Sequence, residues 1–126
     1  MSTLKVNNIQ NTSAAHSTTP EQISSGRIRA WVEFNGVSDA INQSFNISSI
    51  TDIGTSEYTI AFSTSFSNNN YCVFGSTVGG DGGYHSYVCS TGTDKSTGST
   101  PVRIRHAEQH ANAGEVNALG IAFIGN

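Results

Sequence analysis

His106, Glu108 and His110 form the densest set of metal-ligand side-chain types in the chain. Their spacing is close to the zinc motif H-E-x-x-H, but the glutamate stands one place late. That motif works on a helix, where the two imidazoles reach one ion. In an extended segment the two histidines lie ~13 Å apart, too far to chelate one metal. The trio therefore reads as a polar strand end or loop, and only a metal shared between subunits on a symmetry axis could use it. Gly79–Gly83 lacks the Lys-Ser/Thr pair and the following helix of a phosphate-binding loop. Neither Cys72 nor Cys89 sits in a zinc motif, a redox CxxC or a nucleophile context. They read as two small, partly buried side chains, and a disulfide between them stays open because the sequence does not set their separation. The carboxylates are scattered over turn-like stretches, and nothing selects a hydrolase pair among them. No catalytic residue, cofactor or metal ligand is assigned, and an enzyme is not expected.

Tyr84, His85 and Tyr87 carry a different chemistry. They follow the glycine run, in a stretch rich in Ser, Asn and Gly. Tyrosine supplies contact area at low entropic cost, and Ser and Asn supply adaptable hydrogen bonds. Aromatic faces also stack on sugar rings. These three are the candidate receptor-binding residues, weighed against the simpler reading that they are ordinary sheet positions.

The elements that must hold such residues follow from periodicity. Arg27–Phe34 alternates, with Ile28, Ala30, Val32 and Phe34 on one face and Arg29, Trp31 and Glu33 on the other. Asn35-Gly36 then signals a turn. The stretch 44–51 puts Phe45 and Ile47 on one face, and Asp52–Ser56, which contains Gly54, reads as a hairpin connection. Tyr58, Ile60 and Phe62 share a face. Further strands are expected over 71–77, 84–90, 102–106 and 118–124. In the last, Leu119, Ile121 and Phe123 oppose the small Ala118, Gly120 and Ala122. Both of its faces therefore look covered, or the small face packs against another subunit. Phe45, Ile60, Phe62, Val73 and Ile121 are the expected core. Ahead of these strands, Thr19-Pro20-Glu21-Gln22 predicts a short helix: Thr as N-cap, Pro at N1, Gln closing a capping box, and Gly26 as the stop. Before it, Leu4, Val6 and Ile9 form an amphipathic snippet that cannot bury its own apolar side.

The 126 residues allow one domain with a terminal arm. The expected fold is all-β: an antiparallel β-sandwich or jelly-roll-like domain of about seven strands, with a short N-terminal helix and an extended arm. The division falls at residues 1–18 for the arm and 19–126 for the head. Charged residues are only 12% and the net charge is −3, against about 25% charged in ordinary domains. That excludes a basic field, so no nucleic-acid partner is expected. No apolar run approaches the ~20 residues that span a bilayer, so no membrane insertion is expected. The opening MSTLKVNN lacks an apolar signal-peptide core, which predicts no secretion by that route. Low charge suits interfaces, where ions would be costly to desolvate.

Three ordered blocks, STLKVNNIQNTS, TPEQISSGRIRAWVEFNG and SFNISSITDIGTSEYTIAFST, resemble short tail-fibre-like proteins of bacteriophages, especially phages of cyanobacteria. Related modules form the distal tips of longer phage and prophage tail fibres. The resemblance covers residues 2–64. Beyond Ser65 it is one of style, in Asn70-Tyr71 before a strand and in the closing Phe123–Asn126. The chain departs at Asp52-Ile53-Gly54, where those proteins often carry Asp-Asn-Gly, so a type I′ turn is not indicated there. The resemblance implies a virion component, usually a homotrimer. Its arm (Leu4, Val6, Ile9) would attach to other virion proteins or intertwine, and its β-rich head would contact a host surface such as a glycan. A capsid decoration or cement protein is the alternative within the same particle. Recognition is expected in the half of the chain after Ser65.

Overall fold

The local rules that start the helix operate as the sequence dictates. In the computed structural model, Thr19 is the N-cap of α1 (Pro20–Gly26), its hydroxyl accepts from Gln22 N–H, and the Gln22 side chain accepts from Thr19 N–H. The capping box thus satisfies two orphan donors of the first turn. The structure describes residues 2, 5–10, 17–78, 86–90, 94–106 and 116–125. Before the helix, β1 (Ile9–Gln10) and β2 (Ser17–Thr18) pair as a minimal antiparallel ladder. No residue of α1 is buried.

Eight further strands make two four-stranded antiparallel sheets, an all-β arrangement with one short helix. They are β3 (Ile28–Phe34), β4 (Ile41–Phe45), β5 (Ile47–Gly54), β6 (Glu57–Phe62), β7 (Cys72–Val78), β8 (Ser86–Ser90), β9 (Ser99–His106) and β10 (Ala118–Ile124). The first sheet has the order β4-β3-β10-β7 and the second β5-β6-β9-β8. Period-two alternation sends Val32 and Phe34, Ile60 and Phe62, Ile104, and Leu119 into one common core. Rings meet edge-to-face across it: Phe34 and Tyr58 at 5.1 Å, Phe62 and Phe123 at 5.0 Å. That geometry sets a positive ring edge against a negative face.

Of the five expected core residues, Ile60, Phe62 and Ile121 are buried, and Val73 is partly buried against them. Phe45 is a correction, being 56% exposed. The strand read as continuous through 44–51 is broken at Asn46, which has φ 57°. This left-handed corner moves the chain from the first sheet to the second, so Phe45 and Ile47 belong to different sheets and different faces. The Asn46 amide holds the corner. Its Nδ2 donates to Arg29 O (3.1 Å) and Thr64 O (3.0 Å), and its Oδ1 accepts from Thr64 N–H (2.7 Å). Ile28 is a second correction: a register shift beside Ile124 leaves it half exposed instead of on the Ala30 face. Within the expected hairpin connection Asp52–Ser56, the turn itself falls at residues 55–56, with Ser56 taking the left-handed conformation.

Two glycines are required by close approach. A Cβ on Gly75 would stand 2.4 Å from the Val88 side chain, where β7 of one sheet meets β8 of the other. A Cβ on Gly36 would stand 2.7 Å from both Leu119 Cδ1 and the Tyr58 hydroxyl. The latter donates to Gly36 O at 2.7 Å, satisfying an otherwise buried polar group.

At the Phe62 end, Phe66, Tyr71 and Phe123 complete an aromatic cluster. Lys95 Nζ donates to Tyr71 O at 2.8 Å and lies 4.9 Å from the Tyr71 ring centre; Arg29 lies over Phe66. Burial pushes the Tyr71 phenol above its ordinary value, against the opposing pull of a hydrogen bond with the Thr100 side chain. The folded protein thus holds this proton after the unfolded chain has released it. Stability is full below the unfolded pKa near ~10 and falls as pH rises towards the folded value. Urea unfolding between pH 8 and 11 should show this alkaline loss, and Tyr71→Phe should flatten it. An equal slope in both proteins would remove Tyr71 as its source.

Candidate functional site

The core uses one face of the first sheet, and the other face is where the chain leaves large apolar side chains uncovered. Register places Phe45 opposite Trp31, Trp31 opposite Ala122, and Ala122 opposite Phe74. One row across all four strands is therefore aromatic, aromatic, small, aromatic. Phe45 and Phe74 are 56% and 54% exposed. The next row places Gln43, Glu33, Gly120 and Ser76 side by side. Ile28, Ile124 and Cys72 align in a third row, with Cys72 an exposed free thiol.

The shape follows from this pattern. Adjacent strands lie about 4.8 Å apart, so Trp31 and Phe74 stand ~10 Å apart on either side of β10. Between them the floor consists of Ala118, Gly120 and Ala122, and the result is an open groove of about 610 Å³. Glu33 is the carboxylate lining it. Aromatic walls accept cations and apolar groups, and a carboxylate at the rim favours a cation further. Contiguous exposed apolar surface of this kind marks an interaction site more often than ordinary protein surface does.

A second apolar surface lies in the N-terminal segment. Val6, Ile9 and Ile23 are 39%, 51% and 44% exposed, and together they line a groove of about 420 Å³ with Lys5 and Arg27. Val6 and Ile9, two residues of the expected arm, are both exposed. The expected arm residue Leu4 lies outside the described residues.

Tyr84 and His85 also lie outside the described residues. Tyr87 belongs to β8, with its backbone opposite Arg105, and its side chain is not among those described. His106 ends β9, while Glu108 and His110 fall outside the described residues. Among the described residues no group of three or more His, Cys, Asp or Glu could hold a metal ion. Glu57 pairs with Arg103 at 2.9 Å across β6 and β9, a cross-strand ion pair. Among the described residues no helix is long and apolar enough to cross a membrane.

Sequence reasoning placed Trp31 on the face away from the core and marked the small side of β10 as close-packing. It did not join them, because their adjacency depends on strand order. Phe74 was missed, although it alternates with Val73 in the sequence and so had to face away from the core. No protein-family model, curated protein or solved structure matches the chain.

Proposed function

We propose that the protein is a structural component of a bacteriophage particle, a small tail fibre or receptor-binding tip that attaches to the host as a homotrimer. The observation that carries this reading is the uncovered aromatic face of the β4-β3-β10-β7 sheet, together with the exposed apolar side chains of the N-terminal segment. A chain that leaves two such surfaces open is built to be covered by other chains. The resemblance of residues 2–64 to phage tail-fibre-like proteins supplies the setting. The two sheets with their shared core act as a sandwich-type head, and the N-terminal segment attaches to neighbouring chains. Three copies then multiply weak individual contacts with a surface glycan.

Host contact is assigned to Tyr84, His85 and Tyr87, at and beyond the glycine-rich connection after β7. Antibody labelling of intact particles, viewed by electron microscopy, tests the placement. Label at the tail supports the proposal, label over the shell replaces it with the capsid decoration reading, and unlabelled particles overturn both. In particles carrying Tyr84→Ala and Tyr87→Ala, adsorption to host cells should fall at least tenfold with particle assembly unchanged. Undiminished adsorption would remove these residues from the contact.

A further inference from the structure

We propose that the two uncovered surfaces are complementary: the N-terminal surface of one copy, formed by Lys5, Val6, Ile9, Ile23 and Arg27, seats on the β4-β3-β10-β7 face of the next. Charge and apolar character both favour this occupant. The N-terminal groove is lined by Val6, Ile9 and Ile23 with two cations, Lys5 and Arg27. The sheet groove is walled by Trp31 and Phe74, and among the described residues its only charged lining residue is Glu33. The other charged residue of β3, Arg29, lies over the buried Phe66 ring. A cation carried among aliphatic side chains suits a site made of aromatic walls and one carboxylate. The small floor of Ala118, Gly120 and Ala122 lets the incoming segment approach the sheet closely.

The contact joins different surfaces of the two copies, so it is heterologous. Repeated, such a contact generates a ring when the rotation closes. Three copies close it in the homotrimer, and the inference rests on that part of the proposed function. Among the described residues, the N-terminal groove is lined by residues of its own segment and helix and by Arg27. Each copy therefore has one donor surface and one acceptor surface to offer.

Charge reversal, and its compensation in a variant that combines all three changes, tests the pairing. The full chain, its Glu33→Lys variant and its Lys5→Glu/Arg27→Glu variant are compared by light scattering coupled to size exclusion, with circular dichroism as the check on folding. All the changed residues are exposed, so folding should persist. The unmodified chain should run as a trimer, and each variant alone should self-associate at least tenfold more weakly. Combined in one chain, the three changes should restore the trimer, since every copy then carries a negative segment and a positive groove. An unmodified trimer that both variants retain, or a combined variant that stays dissociated, would overturn the pairing while leaving the trimer standing. An unmodified chain that is monomeric at 100 µM (order of magnitude for weak association) would overturn the trimer and the pairing together.

Discussion

Phe62→Ala should destabilise the fold by about 3–5 kcal/mol. Phe62 lies at the meeting point of the aromatic cluster, with ring contacts to Phe66 at 4.8 Å, Tyr71 at 5.7 Å and Phe123 at 5.0 Å. Phe62 and Tyr71 precede and follow the same connection between β6 and β7, and Phe123 comes from the opposite sheet. Truncation would remove three ring contacts of the cluster and leave Tyr71 against Phe66 and Phe123. Rings of this size cannot rotate into the gap without leaving their own contacts, so the cavity would stay largely open. A domain of this length holds only about 5–15 kcal/mol in total, so the variant should lose a large share of its stability. Equilibrium urea unfolding measures this directly. A loss under about 1 kcal/mol would mean that the cluster collapses around the gap.

The second large effect is expected at Asn46. Asn46→Ala removes three side-chain hydrogen bonds and leaves a residue with a Cβ, but no compensating amide, at φ 57°. Net hydrogen bonds contribute about 0.5–1.5 kcal/mol each, and the left-handed conformation costs roughly 1–2 kcal/mol for an ordinary L-residue. A loss near 3 kcal/mol is the expected outcome, somewhat reduced where water reaches the exposed partner atoms. Asn46→Gly separates the two causes, because glycine takes the corner without strain yet lacks the amide. It should recover about 1 kcal/mol relative to the alanine variant. Equal losses in the two variants would show that the corner backbone is not under strain, leaving the side-chain bonds as the whole effect.

The Asn46 corner also marks the boundary of what could be read from the chain. By itself the sequence determined the local geometry: the capping box at Thr19 and Gln22, the bounds of β10 at Ala118 and Ile124, and the inward parity of Ala30, Val32 and Phe34. Each of these depends on neighbours within a few residues, through a side-chain hydrogen bond or the two-residue alternation of a strand. It also determined that Trp31 would face away from Val32. Only the tertiary structure decided that Phe45 stands beside Trp31 in the first sheet while Ile47 enters the second. One residue with positive φ reverses the sense of everything after it, and the pattern of apolar residues is the same on either side. The structure alone likewise aligned Trp31, Ala122 and Phe74, which come from strands far apart in the sequence. Strand order is fixed by how two whole sheets bury a shared core, a global balance of apolar area against chain connectivity. The residues of the groove are therefore legible one at a time in the sequence, and the groove itself exists only once β10 lies between β3 and β7.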